Sequence, residues 1–167
     1  MPKSSPFDGL PKTVRVRDVT LRDGLQSVST VLPTQSKLEL YHALVDAGVR
    51  ELQVTSFVNP SLVPQLADAE SLWTALSNRA ERNSVLVANL RGFERALHAG
   101  AREMEAVVSV SETFNMKNAR RTPRQSLDEI IIMAQRSKEA GCRLTVAVSN
   151  CYHCRSEERR VGKECRL

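Results

Sequence analysis

The chain has 167 residues, 41% of them hydrophobic and 26% charged, with a formal net charge of +5. That is enough chain for one domain with a real core, and the composition is that of a soluble globular protein. No apolar run approaches the ~18–20 residues of a membrane span. The basic residues are scattered and aromatics make up only 4%, so neither a membrane partner nor a nucleic-acid partner is expected.

The opening stretch, MPKSSPFDGLPKT, has no apolar core of the secretory kind and little arginine. It reads as a disordered lead-in over residues 1–12, with a cytoplasmic location expected. A first strand is predicted at 14–20, and it runs straight into VTLRDGLQS, residues 19–27. A β-branched and leucine run ending on Arg22 and Asp23 is either an ordinary loop ion pair or a strand built to hold two charges.

Further along, three segments rhyme: DAGVRELQV (46–54), HAGAREMEAVV (98–108) and EAGCRLTVAV (139–148). Each ends a helical pattern with Ala-Gly and enters a strand at once, which places the glycine at C′ in a left-handed conformation. In chain order the first helix is capped by Thr34, presents Leu38, Tyr41, Leu44 and Val45, and ends at Gly48. A strand is predicted at 51–56, a helix at 67–77, a strand at 84–88, a helix at 92–99 and a strand at 103–110. The last helix begins with a Ser126/Glu129 capping box and shows Leu127, Ile130, Ile131 and Ala134 on one face. It is followed by a strand at 143–149. Strand and helix alternate, and the strands are apolar without clean alternation, so the sheet is parallel and covered on both sides. Two α/β folds fit: a complete five-stranded doubly wound sheet, or the first five strands and four helices of a (β/α)8 TIM barrel.

The four cysteines are Cys142, Cys151, Cys154 and Cys165. One CxxC pair around His153 is a weak zinc or redox signal without a second pair, and reduced thiols at a strand end are the expectation. Arg120, Arg121 and Arg124 form a short basic loop suited to solvent or a small anion.

Four stretches, TLRDGLQS (20–27), LQVTSFVNPSLVPQLADAE (52–70), ANLRGFERALHAGAREM (88–104) and SVSETFNMKNARRTPRQSLDE (109–129), resemble the hydroxymethylglutaryl-CoA lyase branch of the metal-dependent acyl-CoA lyase and synthase family. They stand in family order and spacing. The resemblance implies the (β/α)8 barrel, with chemistry at the C-terminal ends of the strands. It implies that Asp23 ligates a divalent metal, Mg²⁺ or Mn²⁺, as a hard carboxylate oxygen. It implies that Arg22 stabilises an enolate oxygen, and that Gln26 hydrogen-bonds near metal and substrate. By the same resemblance Thr55, Ser56 and Asn89 line the substrate pocket, while Lys117 and Asn118 face coenzyme A. The implied reaction is retro-Claisen cleavage of a 3-hydroxy-3-methylacyl-CoA to acetyl-CoA and a keto acid, by an enzyme expected to be a homo-oligomer when complete. Leu25 favours the lyase over the condensing synthase and the carboxyltransferase of the same family. A non-catalytic five-strand α/β binding module is the alternative of another class.

The match has departures. Gln53 stands where the lyases carry a glutamate, and SVSTVLP after Gln26 lacks the usual acidic and lysine residues. Residues 155–166, RSEERRVGKECR, equal the in-frame translation of a common sequencing-library adapter. The expectation is therefore a lyase-type segment over 13–154, a non-native tail over 155–167, and a truncated, inactive fragment. None of His42, His98 and His153 forms the His-x-His pair that the family's metal site needs, and the family's catalytic cysteine is not assigned to Cys151 or Cys154.

Overall fold

Each of the three Ala-Gly turns closes its helix in the same way. Gly48, Gly100 and Gly141 adopt φ of 98°, 86° and 63°. The next residue's amide reaches back over the turn, Val49 to Leu44, Ala101 to Ala96 and Cys142 to Ser137, at 3.0, 2.9 and 2.8 Å. The glycine amide bonds the carbonyl three residues back. This is the Schellman arrangement, and it delivers the chain directly into a strand.

The computed structural model describes residues 10–152. The 155–167 tail, His153, Cys154 and most of the 1–12 lead-in lie outside the described residues; residues 10–12 are exposed and without regular structure. Helix α1 is Thr34–Asp46, β1 Glu51–Phe57, α2 Ala69–Leu76, β2 Arg82–Val87, α3 Leu90–His98, β3 Glu103–Ser109, α4 Glu112–Ala119, α5 Pro123–Glu139 and β4 Arg143–Ser149. The strands form one parallel sheet in the order β1-β2-β3-β4. This is an α/β half-barrel layout. No described helix is long and apolar enough to cross a membrane.

The predicted strand at 14–20 is not a strand. It contributes one isolated parallel bridge, Asp18 opposite Leu52, in which the Asp18 amide donates to the Glu51 carbonyl and the Gln53 amide to the Asp18 carbonyl. Directly afterwards the chain winds into a π-helical turn, Thr20–Gly24, which takes the next amides out of any ladder. The sheet therefore has four strands rather than five. Residues 112–119, outside every predicted element, form α4, capped by the Ser111 side chain on the Phe114 amide.

Two helix starts also differ. Thr34 is the first residue of α1 and makes no cap; its hydroxyl donates to Asp68 Oδ2 at 2.6 Å. Helix α5 begins at Pro123, with a capping box between Thr122 and Gln125. Ser126 is buried and accepts from Asn115 Nδ2 at 2.8 Å. The face of α5 that enters the core carries Ile130 and Met133, while Leu127 and Ile131 are exposed.

The core lies between the sheet and the helices. It contains Leu52, Val54, Phe57, Val85, Val87, Met104 and Ala106 from the strands, with Tyr41, Leu72, Trp73, Phe93 and Met133 from the helices. Helix α3 sits unusually close to β1: a Cβ on Gly92 would stand 2.2 Å from the Phe57 carbonyl oxygen.

Candidate active site

All four strands are parallel, so their C-terminal ends share one side of the sheet. The π-helical turn packs against β1 and is held by two buried leucines, Leu21 and Leu25, one turn apart. The Asp18 carboxylate locks its start, accepting from the Thr20 amide at 2.8 Å and the Thr20 hydroxyl at 3.1 Å. The Val19 carbonyl receives the amides of Arg22, Asp23 and Gly24 at 3.1, 2.8 and 3.2 Å. Single π turns of this kind are common at functional sites. Gly24 needs no special freedom, because a Cβ there would meet Thr20 only at an ordinary 3.6 Å.

Arg22 and Asp23 leave this turn in different settings. The Arg22 side chain is 17% exposed and that of Asp23 64%. Arg22 Nε donates to Gln53 Oε1 at 2.5 Å, and Arg22 Nη1 to Asp23 Oδ1 at 2.5 Å. Gln53 lies on β1, fully covered, at a point where the register with β2 slips between Gln53 and Thr55. A bulge re-aims the side chains beside it, and bulges gather next to active sites. Immediately after it come Thr55 and Ser56, both buried, with hydroxyls that have no hydrogen-bond partner among the described residues. A buried hydroxyl left unpaired costs about 1–3 kcal/mol, so these two groups suit a polar ligand.

The other expected residues are spread around the same end of the sheet. Gln26 is exposed, and no hydrogen bond among the described residues joins it to Arg22 or Asp23. Asn89 caps α3, its Oδ1 accepting from the Gly92 amide at 2.8 Å, so half of its amide is committed to structure. The same helix end receives Glu129, which accepts from the Leu90 amide at 3.1 Å, as suits a carboxylate at a helix N-terminus. Lys117 and Asn118 are exposed on α4 beyond β3. In the basic loop, Arg121 pairs with Glu129 at 3.1 Å and Arg124 with Asp128 at 3.2 Å, which leaves Arg120 exposed at the left-handed end of α4. His42 is a helix residue that packs edge-on against Tyr41 and contacts Arg79.

Asn115 went unnoticed in the sequence. It is buried, accepts from the Ser109 amide at 3.1 Å, and donates to the Arg121 carbonyl and the Ser126 hydroxyl at 2.8 Å each. It ties the end of β3 to both following helices. An asparagine between Phe114 and Met116 carries no pattern that would announce this.

As a metal site the described residues fit only in part. Asp23 is the right kind of donor and is exposed, but no group of three His, Cys, Asp or Glu side chains among the described residues could hold an ion.

The HMGL-like family model matches residues 13–165. The chain belongs to the HMGL-like family. It is 41% identical over 132 residues to a mitochondrial hydroxymethylglutaryl-CoA lyase of Arabidopsis thaliana, covering 78% of this chain and 28% of that enzyme. It is 34% identical to an (R)-citramalyl-CoA lyase of Chloroflexus aurantiacus, covering 86% of this chain and 49% of that enzyme. Among solved structures, the hydroxymethylglutaryl-CoA lyase of Bacillus subtilis superposes with a TM-score of 0.80 at 30% identity, over 86% of this chain and 49% of that one. An HMG-CoA lyase of Acinetobacter baumannii, in complex with coenzyme A and 3-methylmalate, gives 0.78 at 31%, over 84% and 46%. The chain thus spans about half or less of the length of these HMGL-like relatives. Relatives named as mitochondrial and as cytoplasmic both occur. The half-barrel layout is that of the TIM-barrel lyases rather than of a five-stranded doubly wound sheet.

Proposed function

We propose that this chain carries the N-terminal, strand-end half of a divalent-metal-dependent acyl-CoA lyase acting on a 3-hydroxy-3-methylacyl-CoA. The observation that supports it most is Arg22, fixed by Gln53 beside the exposed Asp23 on a turn anchored by two buried leucines. In the reaction the C3 hydroxyl loses its proton to a base, the C2–C3 bond breaks, and a carbonyl forms at C3. The electron pair passes to the thioester as an enolate, which is protonated to acetyl-CoA while the keto acid leaves. Arg22 presents a preorganised cation to the enolate oxygen, where charge develops. Asp23 would be one ligand of Mg²⁺ or Mn²⁺, with the remaining ligands from outside the described residues; such an ion would supply Lewis-acid polarisation of the substrate's oxygens. Thr55 and Ser56 offer unpaired hydroxyls to the substrate, Asn89 and Gln26 lie at the rim, and Lys117 with Asn118 faces the coenzyme A phosphates. Gln53 cannot serve as a base or a carboxylate ligand. With only Asp23 to offer among the described residues, the 167-residue chain alone is expected to be inactive.

Arg22→Lys in the complete lyase tests the assignment. The expected result is a loss of about 10²–10³ in kcat with KM little changed. Turnover within a factor of a few would remove Arg22 from the mechanism. Assaying hydroxymethylglutaryl-CoA and citramalyl-CoA side by side separates the two substrate classes that the relatives' names raise.

A further inference from the structure

We propose that Gln53 is the positioning residue for Arg22: a buried, uncharged acceptor that fixes the direction of the guanidinium. The proposal rests on the reading of Arg22 as the enolate stabiliser. Its geometry is local and can be tested without that reading.

Gln53 is 1% exposed, and its backbone amide is itself pinned to the Asp18 carbonyl at 2.8 Å. Its Oε1 is therefore fixed to the sheet. Arg22 has five N–H donors, and the two contacts seen use one on Nε and one on Nη1. Three donors remain, two of them on Nη2, in a plane set by the two contacts. The contacts are unequal. Asp23 is the more exposed partner, and an exposed ion pair is weakened by solvent. Gln53 is buried and uncharged, so its contact is the one that fixes the direction of the guanidinium. It also does not titrate, whereas a carboxylate at this position would release its hold on protonation.

The experiment uses the 167-residue chain labelled with 15N-arginine, and follows the Arg22 Nε–H resonance and its exchange with water from pH 5 to 9. In the unaltered chain the proton is protected and its shift is flat with pH. Gln53→Met, of similar volume but without the acceptor, loses the protection. Gln53→Glu keeps it, because a carboxylate beside the guanidinium stays ionised across this range. In the complete lyase Gln53→Met lowers kcat by about 10–100-fold, as loss of an outer-shell partner does, with KM within a factor of a few, and Gln53→Glu recovers most of the loss. Protection and kcat both unchanged in Gln53→Met would overturn the proposal. If the Met variant did not fold, an Arg22 Nε–H that exchanged freely with water in the unaltered chain would overturn it equally. A full-rate Arg22→Lys enzyme alongside the expected resonance behaviour would instead sink the enolate role and leave the Gln53 anchor standing.

Discussion

The two flanks of the sheet are built to opposite standards. From Leu52 to Phe57 every residue of β1 is buried, and its free side is braced by the Asp18 bridge and by ion pairs from Arg15 to Glu51 and, across the sheet, from Arg17 to Glu105. Strand β4 has no buried residue. Val146 and Val148 are 38% and 53% exposed, and Leu127, Ile131 and Ile132 of the neighbouring α5 stand open beside them. Arg22, Gln53, Thr55 and Ser56 all belong to the finished flank. Orientation to a fraction of an ångström needs side chains locked by packing, and only that flank supplies it.

The difference can be broken most forcefully at Phe57. Phe57→Ala should lower unfolding free energy by about 3–5 kcal/mol, and Val148→Ala by under about 1 kcal/mol, since a half-exposed valine leaves little cavity. Urea titrations of the two variants give the comparison; equal losses would mean that β4 is covered in solution. A second blow falls at Lys37, which is 1% exposed and donates to Asp68 and to the Gln65 carbonyl. Asp68→Ala strands that cation, and the expected loss is on the order of 3 kcal/mol, read from the same titrations. Lys37→Met with Asp68→Ala should recover much of it.

The open flank makes its own prediction. Exposed strand edges recruit other chains, so the 167-residue chain should self-associate in sedimentation velocity runs. Val146→Lys with Val148→Lys should shift it toward monomer, with little change in the β1 flank's hydrogen-exchange protection. The smallest effect concerns alkali. Burial holds the Tyr41 phenol above its ordinary 10.0, and neighbouring Glu81 adds to this against the Asn83 hydrogen bond. A raised folded pKa means that the folded state prefers the protonated phenol, so this stability is complete below pH about 10 and is lost as pH rises beyond it. Tyr41→Phe should flatten the alkaline limb of a plot of unfolding midpoint against pH.

Much of the layout is legible in the sequence. Four strands and four helices fall within a few residues of their predicted places, because Ala-Gly at a helix end dictates both the left-handed turn and the immediate strand. The first strand failed because the pattern of Val14, Val16 and Val19 specifies an extended chain but not a ladder, and Val14 and Val16 are in fact exposed. The α5 face failed because Leu127, Ile130, Ile131, Ile132 and Met133 make the helix apolar on several sides, so periodicity cannot choose among them. The signal for its true start was present in Thr122, Pro123 and Gln125: a cap, a proline at the first helical position and a reciprocal glutamine. The site was legible in its residue types and not in its bonds. Nothing in the string RDGLQ tells that Arg22 reaches a glutamine thirty-one positions away.

Gly92 carries a lesson for anyone who scans this protein by saturation mutagenesis. The Phe57 oxygen occupies the space where any side chain would begin, so position 92 will tolerate no replacement and will score as high as a catalytic residue. Three positions earlier, Asn89 will also score, through its cap on the same helix turn. A fitness map read alone would therefore draw an active-site patch around the start of α3 that is in large part the imprint of one close backbone contact. A fluorescence-based abundance screen run beside the activity screen would separate the two, since Gly92 variants would vanish from both and Arg22 variants only from the second.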